Sequence, residues 1–247
     1  RLSEVGRFKV DAMADAIFDK NPFVQVRRSC SRISRETVDE VRAYVCKADI
    51  VICVIDEAAG KHLLNRICVQ EEKPLIIAGM SRRAYSGHVL RVHPHHSPCF
   101  QCFSMNLPGT ARDQEISSPR DAQRIAYSDQ IVPIEPGLSN DIAPISTMVV
   151  TLTIQELLKD KPTTLSSRDE DLVSSWYLWL NRREPGTDFA KLEPLEFNID
   201  GMRILRWYGI AMARRTDCPC CGDFVGERAR TMGITVSPEE EAEFGGS

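Results

Sequence analysis

The chain has 247 residues, 43% hydrophobic and 27% charged, with a formal net charge of −4. That length and apolar content suffice for one large core or two small ones, and the acidic balance excludes nucleic-acid binding through bulk attraction to phosphates, the basic stretch VRRSCSRISR (26–35) being only local. No apolar run reaches the roughly 18 to 20 residues that span a bilayer, and no charged-then-apolar signal opens the chain, so a cytoplasmic protein with no membrane partner is expected.

Residues 9–20, KVDAMADAIFDK, set Val10, Met13, Ala14, Ile17 and Phe18 at helical spacing, which predicts an amphipathic helix ending before Asn21-Pro22. FVQVRRS (23–29) then reads as a short strand. Ser34 caps a second predicted helix over 34–49, with Val38, Val41, Val45 and Ala48 inward. DIVICVI (49–55) is a continuous β-branched run, the pattern of a strand covered by helices on both faces of a parallel sheet. A helix over 59–72, with Leu63, Leu64, Ile67 and Cys68 on one side, leads to a strand over 73–79. This order predicts part of a doubly wound α/β sheet, and GHVLRVH (87–93) is a further strand of alternating character.

Residues 104–136 are polar and broken by proline and glycine, a long loop with at most a helix around 119–127. The segment 141–160, DIAPISTMVVTLTIQELLKD, is the most apolar helix candidate, with Asp141 as its cap and Pro144 tolerable only in its first turn. EPLEFNIDGMRILRWYGIAMA (193–213) alternates around Asp200-Gly201, which predicts an antiparallel hairpin. The tail beyond Cys221 turns acidic and reads as a flexible terminus.

Of the nine cysteines, Cys30, Cys46, Cys53 and Cys68 stand singly, while the other five fall in SPCFQC (97–102) and DCPCC (217–221). In a reducing compartment such clustering favours a metal over disulfides. A tetrahedral zinc takes four thiolates, and Cys99 with Cys102 and Cys218 with Cys221 supply that count; Cys220 is the spare, and its adjacency leaves the second ligand open although the two-residue gap favours Cys221. Four sulfurs leave no open coordination position, so the expected role is to tie the strand that follows the sheet to the C-terminal hairpin. The rival readings are two unrelated turns and a redox dithiol at Cys99 and Cys102. His93, His95 and His96 are read as solvent-exposed or as part of a loop touching an incoming peptide.

Taken together, GRFKVDAMADAIFDKNPFVQV, ADIVICVIDEAAGKHLLNRICVQEEKPLIIAG, GHVLRVHPHHSPCFQC, EPGLSNDIAPISTMVV and the closing CPCC resemble the ThiF/MoeB/HesA branch of E1-like activating enzymes. The resemblance implies a partial adenylation domain over 1–247, with a Rossmann-like portion at 1–103, a crossover loop region at 104–140, and a core helix, hairpin and zinc-closing segment at 141–247. Enzymes of that family use ATP and magnesium to adenylate the C-terminal glycine of a ubiquitin-like or sulfur-carrier protein. Lys9, in Gly6-x-x-Lys9, matches the family's phosphate-contacting lysine, and Asp56 its magnesium-handling aspartate. A homodimer, an E2-like partner and a bacterial conjugation or sulfur-transfer pathway are likewise implied.

Three departures from the family pattern qualify that expectation. The residue after Asp56 is Glu57, where asparagine is usual. The chain holds no Gly-x-Gly, so the glycine-rich phosphate loop that normally precedes Gly6 is expected in an N-terminal half that lies outside it. Residues 103–140 contain no cysteine for a thioester, leaving Cys30 and Cys220 as the candidates. A catalytically silent scaffold that holds a ubiquitin-like protein is the alternative reading.

Overall fold

The computed structural model describes residues 4–106, 138–165, 167–185 and 203–223. Helix α1 (Lys9–Lys20) forms where periodicity places it and buries only Ala14. FVQVRRS is not a strand here: among the described residues it has no neighbouring strand to pair with, and polar groups in and just after it bind helices. Arg28 reaches Asp11 on α1 at 2.8 Å, and the Ser29 and Ser31 hydroxyls donate to Glu40 at 2.8 and 2.7 Å. Ser34 does mark the next start, where its N–H donates to Thr37 Oγ1 at 3.1 Å, but it opens a 3-10 turn (Arg35–Thr37) that leads into α2 (Val38–Lys47).

Strands β1 (Val51–Cys53), β2 (Leu75–Met80) and β3 (Ser86–Val92) follow, with α3 (Ala58–Gln70) crossing from β1 to β2. After β3 come α4 (Phe100–Asn106), α5 (Ser139–Leu157), α6 (Ser167–Asp171), β4 (Trp176–Leu180) and β5 (Arg206–Ile210). The sheet order is β1-β2-β3-β4-β5. Only β1 and β2 are parallel among the described residues, Val51 facing Leu75; β3, β4 and β5 add in antiparallel fashion, through pairs such as Ile77 with Leu90 and Val89 with Tyr177. The sheet is thus mixed: it keeps one βαβ unit of the doubly wound expectation, with helices on both faces, carries the expected antiparallel C-terminal strands, and turns antiparallel from β3 onward. The reason lies in the link between β2 and β3, residues 81–85, which is far shorter than the dozen residues a parallel crossover needs.

Alternation along the strands builds two cores. Leu75, Ile77, Leu90 and Val92 pack with Cys53 against Val45, Leu64, Ile67, Phe100 and Phe103 on one face. Ile76, Ala78, Val89 and Tyr177 pack on the other under Ile145, Met148, Val149 and Leu152 of α5. Among the described residues DIVICVI is not buried on both faces: β1 is the outer strand of the sheet, and Ile52 and Val54 are 45% and 64% exposed. Helix α5 begins at Ser139, which puts Asp141 in its first turn and Pro144 in its second rather than at the positions expected from sequence. Strand β4, unpredicted, is the partner of β5; Asp200-Gly201, the predicted hairpin turn, lies outside the described residues, as does the segment 119–127.

A buried polar lock joins β3 to α5. Arg91, 8% exposed, donates to Gln155 Oε1 at 3.0 Å and to the Leu172 carbonyl at 2.8 Å, and lies 3.6 Å from Glu156. Glu156 also meets His93 Nε2 at 2.8 Å, so His93 belongs to the fold rather than to a solvent-facing loop, whereas His95 and His96 are exposed as expected. Among the described residues, no helix is long and apolar enough to cross a membrane.

Candidate metal centre and nucleotide-side residues

The first cysteine pair is built into a helix start. Cys99 immediately precedes α4 and Cys102 lies in its first turn, with the Cys99 carbonyl accepting the Phe103 N–H at 3.0 Å. The second pair is a knuckle closed by Gly222 N–H to the Cys218 carbonyl at 2.9 Å and by Asp223 N–H to the Thr216 carbonyl at 3.1 Å. Gly222 is required there: a Cβ would stand 2.5 Å from the Thr216 oxygen and 2.7 Å from the Cys218 nitrogen, backbone atoms that cannot swing aside. Arg214 steadies the knuckle from outside, donating to the Cys221 carbonyl at 2.6 Å.

Together these elements bring Cys99, Cys102, Cys218 and Cys221 into one buried group whose sulfurs all lie within 4.8 Å of one another. The separations are 3.9 Å for Cys99 to Cys102, 3.7 Å for Cys99 to Cys218 and 3.4 Å for Cys102 to Cys221. A tetrahedron with metal–sulfur arms of about 2.3 Å has edges of about 3.8 Å, so the spacing fits a four-thiolate zinc. The crowded thiols also perturb one another. Cys102 is held far below the ordinary thiol range, foremost by its hydrogen bond with Cys218, while Cys218 and Cys221 are pushed up, foremost by theirs with Cys102, and Cys99 is pushed up to about 12 for the same leading reason. Four touching thiols cannot all ionise unless a cation joins them. Burial also leaves a redox partner no access to Cys99 or Cys102, both 0% exposed.

The converging sulfur is that of Cys221; Cys220 stands beside the group, its N–H donating to Cys218 Sγ at 3.4 Å. Sequence reasoning missed Asn65, which is 1% exposed on the predicted apolar side of α3 and bonds to both cysteine-bearing segments. The signal was there: an amide inside a stripe of Leu64, Ile67 and Cys68 requires buried partners.

Lys9 and Asp56 do not belong to this thiol group. Lys9 is the first residue of α1, three residues after Gly6, whose φ of +89° suits glycine. Asp56 is exposed and lies just past the carboxyl end of β1, on the bend into α3, where ligands of open α/β sheets gather. Glu57, at the N-cap position of α3, is gripped by Arg32 through two bonds of 2.8 and 3.2 Å. Of the two thioester candidates, Cys30 is exposed and Cys220 half-buried.

A sequence profile of the ThiF family matches residues 1–172. Ubiquitin-like modifier-activating enzyme 5 of Caenorhabditis elegans is 27% identical over 110 residues, covering 40% of this chain and 26% of the relative. Adenylyltransferase and sulfurtransferase MOCS3 of Culex quinquefasciatus is 33% identical over 107 residues, 43% of this chain and 23% of the relative. Crystal structures of E. coli MccB share the fold, with a TM-score of 0.56, 16% identity, and coverage of 90% of this chain and 51% of that one. The chain therefore spans about half of MccB and about a quarter of these two curated relatives.

Proposed function

Because the chain belongs to the ThiF family, whose profile covers residues 1–172, we propose that it forms part of an E1-like enzyme that adenylates the C-terminal glycine of a ubiquitin-like or sulfur-carrier protein. That family match is the observation that carries the reading, and the names of the curated relatives, a modifier-activating enzyme and an adenylyltransferase, agree with it. In the reaction, a carboxylate oxygen of the carrier bonds to the α-phosphorus of ATP and pyrophosphate leaves. Lys9, an exposed residue at the start of α1, would steady the phosphates, helped by the helix dipole. Asp56 would hold magnesium, an ion commonly bound by one or two carboxylates together with phosphate oxygens and water, and its exposed place at a strand end fits that donor set.

Cys99, Cys102, Cys218 and Cys221 would hold a structural zinc, which ties the start of α4 to the segment that follows β5. Exposed apolar side chains in and just after β1 and on α5, among them Ile52, Val54, Val150 and Leu157, support a homodimer. A silent scaffold is the second reading, and one observation favours it: Glu57 replaces the usual asparagine, and its carboxylate is already engaged by Arg32. Carrier-dependent ATP–pyrophosphate exchange by the whole protein that bears this chain separates the two. Exchange abolished by Asp56→Ala at unchanged zinc content supports adenylation; exchange retained in that variant removes Asp56 from the site, and no exchange in the wild type supports the scaffold.

A further inference from the structure

We infer that Asn65 is a positioning residue for the metal centre, locking both cysteine-bearing segments to the middle of α3. The inference rests on the reading of the four cysteines as metal ligands. Asn65 Oδ1 accepts the Phe100 N–H at 2.9 Å, and its Nδ2 donates to Cys220 Sγ at 3.2 Å. The orientation of the amide follows from chemistry, since an N–H can only meet the oxygen. Phe100 directly follows the ligand Cys99 and opens α4, where helix N–H groups have no acceptor within the helix. Cys220 sits between Cys218 and Cys221 in the knuckle. One side chain thus holds residues from both ligand pairs, which share no backbone–backbone hydrogen bond among the described residues.

A leucine would bury more cheaply on this apolar side of α3, because an amide placed there costs free energy unless its bonds are made. The polar residue is explained by what it orients. Neighbouring side chains of α3 rest on the same phenylalanine: the His62 ring lies 4.7 Å from that of Phe100, and the buried Lys61 ammonium 5.8 Å from its centroid. Helix α3 begins at Ala58, two residues beyond Asp56. A rigid helix therefore runs from the bend that carries Asp56 to the centre that carries the metal, and Asn65 is its fastening point.

The test uses Asn65→Ala, Asn65→Asp and Cys220→Ala in the whole protein. Zinc content of the wild type comes first, and absence of zinc there would contradict the metal reading itself. With zinc present, transfer to a chromophoric chelator is expected about tenfold faster or more in Asn65→Ala, as for other groups that orient metal ligands. Asn65→Asp keeps the acceptor for Phe100 but loses the donor to Cys220, so its rate should fall between, and Cys220→Ala should match it. Hydrogen exchange supplies a readout that general loosening would not reproduce: the Phe100 amide should lose protection in Asn65→Ala and regain it in Asn65→Asp. Wild-type release rates across the variants, or equal Phe100 exchange in Asn65→Ala and wild type, would overturn the role of Asn65 while leaving the metal reading intact. Should Asn65→Ala fail to fold, the release rates of the other two variants decide.

Discussion

Substituting Gly222 with alanine isolates the geometry of the second knuckle, because it adds one methyl group and removes no ligand. The new Cβ would meet the Cys218 carbonyl oxygen, the Thr216 oxygen at 2.5 Å and the Cys218 nitrogen at 2.7 Å. All three are backbone atoms of the loop that aims Cys218 and Cys221, so relief requires the loop itself to open. At a site with room, glycine to alanine gains up to about 1 kcal/mol by restricting the unfolded chain, whereas overpacking costs about 1 to 3 kcal/mol, so the sign here is a loss of about 2 kcal/mol. If that strain falls on the metal-bound knuckle, zinc affinity drops about 30-fold, at 1.4 kcal/mol per tenfold. Competition against a chelator of known affinity measures it. Gly6→Ala is the control: its φ of +89° imposes backbone strain, but nothing lies within 4 Å of the added atom, so zinc affinity should not move. Wild-type affinity in Gly222→Ala would refute the argument that this close backbone approach shapes the centre.

Two further substitutions probe the second core and its polar lock. Leu152, 0% exposed on the inner face of α5, should cost about 3 kcal/mol as alanine, read as a lowered denaturation midpoint. Burial alone would raise the Glu156 carboxyl, but the hydrogen bond from His93, the charge of His93 and that of Arg91 outweigh it and hold the group below its ordinary range. A carboxyl lowered in the folded state stabilises the fold above its unfolded pKa, and that contribution disappears as pH falls through the folded value. Glu156→Gln should therefore cost about 2 kcal/mol at neutral pH by removing a charged partner of Arg91 and His93. Its Tm should also depend less on pH than the wild type's below about pH 4, where glutamate ordinarily titrates. Parallel Tm–pH curves would contradict that assignment.

The cysteine centre was legible because its signal is local: a two-residue gap places two sulfurs together, and two such gaps supply a closed tetrahedron. The βαβ unit was legible for a similar reason, since a β-branched run, a helical stripe and a second run occupy the right lengths. Strand direction was not, because periodicity looks the same in either direction; the information sat in the short link at 81–85. Strand β4 was missed since WYLWL lacks alternation, though its aromatic run between Ser175 and Asn181 has the length of a strand. FVQVRRS misled in the opposite sense, having strand-like residues but, among the described residues, no strand beside it. Asn65 and His93 escaped because their partners are remote in sequence, Cys220 being 155 residues from Asn65 and Glu156 63 from His93.

Native mass spectrometry of the intact protein, repeated after denaturation, tests most directly whether the sulfur cluster is a metal centre. One zinc ion per chain, lost on denaturation and absent in Cys102→Ser, is the predicted result. A metal-free native protein, or one whose mass shows these cysteines joined as disulfides, would contradict the account.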